Sequence, residues 1–128
     1  MKLRRLGAAD VPVMVKLAEL TEPGPFRERT IELGIFSGIC EGDRLLAMAG
    51  QRMRMPGFVE VSAVCTHPDV RGRGYAAILM SEVIRDIVGE GSVPFLHALA
   101  DNPAVRLYER LGFTRRRGFH LAVIKRDE

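Results

Sequence analysis

The chain has 128 residues, 47% of them hydrophobic and 27% charged, with a formal net charge of +3. That length carries one domain (1–128) with one core, and the modest charge suits a small anionic ligand while falling short of the dense basic stripe of a nucleic-acid binder. No apolar run reaches the roughly 18 residues that span a bilayer, and the basic start "MKLRRLGAADVPVM" has no continuous apolar stretch behind it, so a cytoplasmic protein is expected rather than a membrane or secreted one.

In chain order, "KLRRL" alternates polar and apolar residues as a short first strand would. Asp10 reads as an N-cap with Pro12 in the first turn, and Val13, Met14, Leu17 and Leu20 recur at helical spacing, which predicts a helix near 10–20. "TEPGPF" ends it, because two prolines flanking a glycine cannot continue a helix. "RERTIEL" reads as a second, short helix stopped by Gly34. The period then shortens: "IFSGICEG" and "RLLAMAGQRM" are strands joined around "EGD", and after the turn "MPG" comes a third strand, "FVEVSAVCT". A helix begins near Gly74 with Ile78, Leu79, Val83, Ile84 and Ile87 on one broad apolar face, and "GEGS" ends it. "PFLHAL" is a short buried strand, and "NPAVRLYERL" is a helix capped by Asn102 with Pro103 at its first position. Gly112 stops that helix, and "FTRRR" and "FHLAVIK" close the chain as a hairpin around Gly118. The order β-α-α-β-β-β-α-β-α-β-β predicts an α/β fold in which an antiparallel meander passes into crossover helices.

Cys40 and Cys65 are too few for a disulfide scaffold and read as buried apolar side chains. His67, His97 and His120 stand at no metal-ligand spacing with either cysteine, so no metal is expected. The informative segment is "HPDVRGRGYAAILM", a strand–loop–helix junction. Gly72 and Gly74 allow the backbone to curl and a ligand to approach closely. The amides of Gly72, Arg73, Gly74, Tyr75 and Ala76 precede the positive end of a helix dipole, with Arg71 and Arg73 adding charge; Arg73 in particular is expected to reach phosphate oxygens. A phosphate or pyrophosphate is the natural guest, a plain solvated turn the simpler alternative. The nucleoside-triphosphatase loop is excluded because no Lys-Ser/Thr follows, and the dinucleotide fingerprint because its third glycine is Ala77 here.

"RGRGYA" is similar to the Arg/Gln-x-x-Gly-x-Gly/Ala signature of the GCN5-related N-acetyltransferases, with Arg71, Gly74 and Ala76 at the signature positions. "NPAVRLYERLGF" resembles the second hallmark of that superfamily, an Asn before a helix ending in Tyr-Glu-x-x-Gly-Phe. The resemblance implies a mixed, mostly antiparallel central sheet with a splayed parallel strand pair and helices on both faces. It implies acetyl-CoA as donor, its pyrophosphate on the Gly72–Ala76 loop and its pantetheine arm along the backbone of Val64, Cys65 and Thr66 with help from Asn102. It implies direct acetyl transfer to a primary amine of a small molecule or amino acid, with Tyr108 as general acid. Glu60 lies where the histone acetyltransferase branch carries its general base, on a strand that would put it on one face with Ser62 and Val64. Each role has a plainer counterpart: Asn102 a helix cap, Tyr108 a core residue beside Val105 and Leu111, Glu60 an exposed strand carboxylate. His67 reads as a turn residue and His97 as a packed core histidine, with proton relay the less expected role. Arg115–Arg117 read as a solvated edge. "LTEPGPFRERTIELG", with Pro25, Phe26 and Arg29, would form the acceptor groove. A protein N-terminal or lysine acetyltransferase and a catalytically silent acyl-CoA-binding domain are the competing readings, and the final hairpin offers an edge for a homodimer.

Overall fold

A sheet of seven strands in the order β1-β2-β3-β4-β5-β7-β6 frames the molecule. The computed structural model describes residues 2–21, 32, 34–97, 105–115 and 121–124, with 115 and 121–124 by backbone alone. Strand β1 (Lys2–Arg5) leads through a 3-10 turn at Ala8–Asp10 into α1 (Val11–Thr21). The meander follows as β2 (Phe36–Glu41), β3 (Arg44–Met55) and β4 (Phe58–Thr66), then α2 (Tyr75–Gly89), β5 (Val93–His97), α3 (Val105–Arg110), β6 (Phe113–Arg115) and β7 (Leu121–Ile124). The helix expected over "RERTIEL" falls almost wholly outside the described residues, as does Gly118. Asp10 does cap, but one turn earlier than its spacing suggests. Its carboxylate accepts the Gly7 amide at 2.8 Å and the Arg4 guanidinium at 2.7 and 3.0 Å, closing the 3-10 turn ahead of α1.

The two long helices bury opposite faces of the meander, because each strand sends alternate side chains to either side. On one face Met14, Leu17 and Ala18 of α1 pack on Phe36, Cys40, Leu45 and Met48. On the other, Tyr75, Leu79, Met80, Val83 and Ile87 of α2 pack on Ile39, Leu46, Ala49, Val59 and Val61. Leu79 and Ile87 are fully buried, and removing such a side chain costs about 2–5 kcal/mol. Gly50 permits this packing: a Cβ there would run into the Phe36 ring.

Two irregularities position the functional site. Strands β4 and β5 run parallel but pair only at Phe58↔Val93, Val59↔Pro94 and Glu60↔Phe95. Beyond Glu60 they part, while the other edge of β5 pairs with β7 at Phe95↔Val123, Leu96↔Ala122 and His97↔Leu121. Just past the fork β4 bulges: Gly50 pairs with Ser62 but Met48 with Cys65, so Ala63 and Val64 stand opposite the single Ala49. Ala63 takes φ +54°, a left-handed conformation that costs a non-glycine residue about 1–2 kcal/mol. The bulge also shifts the alternation. Ala63 and Cys65 pack on the α1 side and Val64 packs toward α2. Glu60, between Val59 and Val61 of the α2-side core, points to the α1 side, so it does not share a face with Val64 as strict alternation predicts.

Candidate active site

The loop between β4 and α2 has the shape its glycines suggest. His67 opens it as a turn residue, its Nδ1 accepting the Asp69 amide at 3.1 Å. Gly72 and Gly74 sit at φ +82° and +80°, and, their chain neighbours aside, no atom of the described residues lies within 4 Å of where either would carry a Cβ. Gly74 is the N-cap of α2 and supplies no side chain to its first turn, whose amides have no partner within the helix. A cavity of about 250 Å³ lies over this turn, lined by Val70–Gly72 and Gly74–Ala77, by Thr66, and by Leu107 and Arg110 from α3. Both arginines of the loop are exposed, and of the two Arg71 lines the cavity. Tyr75 is 7% exposed with its side chain in the α2-side core; its part in the loop is its backbone. Arg110 belongs to the site although the sequence reading passed over it. It stands two residues after Tyr108 on a helix whose motif drew attention to the tyrosine alone.

A second cavity of about 250 Å³ is lined by Thr21, Val64, Cys65, Thr66, Arg71, Ala76, Leu107 and Tyr108. The two share Thr66, Arg71, Ala76 and Leu107, so they form one trough from the glycine loop to the tyrosine. Here the splay leaves the end of β4 without a β5 neighbour. Burial pushes the Tyr108 hydroxyl above its usual value, so it carries its proton throughout the neutral range. Its ring meets Phe113 edge-on with centroids 6.4 Å apart. Burial likewise pushes the Cys65 thiol up to about 11, which removes it as a nucleophile. A larger hollow of about 480 Å³ between α1 and the β2–β3 turn, with Val13, Leu17, Leu20 and Leu45 among its walls, touches the informative segment only at His67 and is lined by neither Tyr108 nor Glu60. Asn102, Pro25, Phe26, Arg29, Arg116, Arg117 and His120 lie outside the described residues.

At the fork sits a polar cluster. Glu60, far from being an exposed strand carboxylate, is 2% exposed. Its Oε1 accepts Arg52 Nε at 3.0 Å, and its Oε2 accepts Arg52 Nη2 at 3.2 Å and lies 2.7 Å from His97 Nδ1. His97 is not a packed core histidine either: its side chain is 44% exposed, and its ring stands edge-on to Phe95 at 5.8 Å. Phe58, 40% exposed, meets the other side of Phe95 at 6.5 Å. The described residues hold no group of His, Cys, Asp and Glu arranged for a metal, and no helix long and apolar enough to cross a membrane.

A family model described as FR47-like protein matches residues 36–122, the stretch that contains the meander, the glycine loop, Tyr108 and every residue lining the trough except Thr21. The chain belongs to the FR47-like family, within the GCN5-related N-acetyltransferases. This FR47-like chain superimposes on a Novosphingobium aromaticivorans protein assigned to the GNAT family of acetyltransferases, with 47% identity and a TM-score of 0.88. The match covers 98% of this chain and 57% of that one. Two more distant structures share the fold. The ribosomal-protein-S18-alanine N-acetyltransferase of Escherichia coli matches at 19% identity and a TM-score of 0.77, over 96% of this chain and 90% of that one. The PaiA N-acetyltransferase of Thermoplasma acidophilum, solved with coenzyme A, matches at 14% identity and a TM-score of 0.76, over 98% and 100%. No curated protein matches the chain by sequence. The FR47-like fold thus brings together Val64, Cys65, Thr66, Arg71, Gly72, Gly74, Tyr75, Ala76 and Tyr108 along one trough, and sets Glu60 in a separate cluster at the last β4–β5 rung.

Proposed function

We propose that this protein is an acetyl-CoA-dependent N-acetyltransferase that moves the acetyl group directly to a primary amine of a small molecule or amino acid. The observation that carries the proposal is the trough, which joins an anion-ready helix start to a proton-bearing phenol past a strand end freed by the splay. The donor would supply an acetyl thioester. The chain's own groups fit it: Gly72 and Gly74 leave open space at the start of a helix, Arg71 and Arg110 line the cavity that would take the phosphates, and Tyr108 would give its proton to the departing thiolate. The likeness in fold to an acetyltransferase solved with coenzyme A supports the same reading. The cytoplasm is the compartment we propose, in keeping with two buried free cysteines.

Thermal unfolding with and without acetyl-CoA tests the donor site. At about 100 times its Kd the ligand should stabilise the wild-type fold by roughly 2.7 kcal/mol. Gly74→Glu, which puts a carboxylate and a strained φ into the loop, should abolish that shift. A panel of amines then tests the acceptor, and turnover confined to peptides with a free N-terminus or to lysine side chains would replace the small-molecule assignment. The absence of any shift in wild type would remove the acetyltransferase reading.

A further inference from the structure

The cluster at the fork carries an inference about the proton that the acceptor amine must lose, and it rests on the acetyltransferase reading above. We propose that His97 is the residue that takes this proton and that Glu60 is a positioning residue that holds His97 in the reactive tautomer. Glu60 is poorly placed to act by itself. Its side chain is 3% exposed, and both its oxygens are engaged, by the Arg52 guanidinium and by the histidine. A carboxylate gripped by a guanidinium is an acceptor, so at 2.7 Å His97 Nδ1 must be the donor. That fixes the neutral ring as the Nδ1–H tautomer and leaves Nε2 as the basic atom, with no hydrogen-bond partner among the described residues, on a side chain that is 44% exposed. Position agrees. His97 ends β5, two residues beyond the last rung shared with β4, at the mouth of the splay. Phe95 holds the ring edge-on from one side, so two contacts restrict it.

The step balances without a further reagent. His97 Nε2 takes one proton from the ammonium and passes it to solvent. The nitrogen lone pair forms the C–N bond as the C–S bond breaks, and the sulfur leaves with the bonding pair and takes the Tyr108 phenolic proton. The second nitrogen proton replaces the one Tyr108 gave up. The products are the amide, the free thiol and one proton.

The test combines kinetics with a tautomer readout on the whole chain. In His97→Ala, kcat should fall about 100-fold or more, in the range typical of a lost general base, while the thermal shift with acetyl-CoA stays as in wild type. Imidazole in the buffer should restore part of that kcat. Nitrogen-15 spectra of the wild-type imidazole should show the Nδ1–H form, and Glu60→Gln should lose that preference and gain nothing from imidazole. Should Glu60→Gln not fold, the wild-type spectrum and the His97→Ala rescue still decide. An Nε2–H tautomer in wild type, or a His97→Ala enzyme keeping more than about a tenth of wild-type kcat, overturns the assignment while leaving the acetyltransferase reading in place. Wild type that turns over no amine overturns both.

Discussion

Tyr108 packs against the core and, in the proposed reaction, also gives up a proton, and a single atom separates the two roles. Its ring packs edge-on against Phe113 beside the α2-side core, which helps to seat α3 on the sheet. The side chain lines the trough, and burial keeps its hydroxyl protonated. Tyr108→Phe keeps the ring contact and deletes the proton. Stability should change by less than about 1 kcal/mol, within the range of mild substitutions, whereas kcat should fall roughly 100-fold, the scale of a lost general acid. Steady-state kinetics beside thermal unfolding checks both halves. An unchanged kcat would return Tyr108 to a packing role. At this scale the sequence motif was informative: "YERLGF" identified the tyrosine, and the structure adds the neighbours that define its surroundings. It said nothing of Arg110, whose place in the trough depends on how α3 is rotated.

At the scale of elements, the bulge in β4 is where local strain and function meet. Ala63 stores about 1–2 kcal/mol in its left-handed backbone, and the bulge it forms re-aims Val64 and Cys65 just past the fork. Glycine at this position releases the strain but adds freedom to the unfolded chain worth roughly 0.5–1 kcal/mol, so Ala63→Gly should lie within about 1 kcal/mol of wild type. A β-branched residue tolerates positive φ badly, so Ala63→Val should cost about 2 kcal/mol or more and weaken the acetyl-CoA shift as the bulge relaxes. Urea unfolding of both variants measures the costs; equal stabilities would mean that the bulge is unstrained. Such bulges also explain what could and could not be read beforehand. The strand "FVEVSAVCT" and the helix after Gly74 were legible because periodicity and glycine turns are local. Register is not local. Counting back from the turn through Met55↔Phe58 and Arg54↔Val59 would put Met53 opposite Glu60, but an extra residue in β3 brings Arg52 there too, and with it the ion pair. His97 was expected in the core because a strand residue is assumed to be covered, and only the fork, a feature of two strands together, uncovers it.

At the scale of the whole molecule, two separate apolar cores hold the sheet between α1 and α2, and charged pairs tie its margins. Arg5 of β1 reaches Asp86 of α2 at 3.0 Å, Arg54 at the β3 tip reaches Glu90 past the end of α2 at 2.7 Å, and Arg4 reaches Asp10 at 2.7 Å. These arginines are largely exposed, so the Arg5 and Arg54 pairs are worth at most about 1 kcal/mol each, and solvent screens the Arg4 pair as well. Two of the pairs nevertheless give stability a pH dependence of known sign. The Arg4 guanidinium, with the Gly7 amide, holds the Asp10 carboxyl below its ordinary 3.8, and Arg54 holds the Glu90 carboxyl below 4.5. Across the window below those values the unfolded chain therefore binds more protons than the folded one. The stabilisation is complete above the unfolded values and is lost as pH falls through the lower, folded ones. Asp10→Asn isolates the charge, because the amide oxygen can still accept from Gly7. Its deficit against wild type should be present at pH 7, at about 1 kcal/mol or less, and should shrink toward zero as pH falls below the range where Asp10 takes up its proton. Urea midpoints measured from pH 7 down to the acid transition follow that difference. A deficit that stays constant with pH would place the role of Asp10 in the shape of the 3-10 turn and not in its pairing with Arg4.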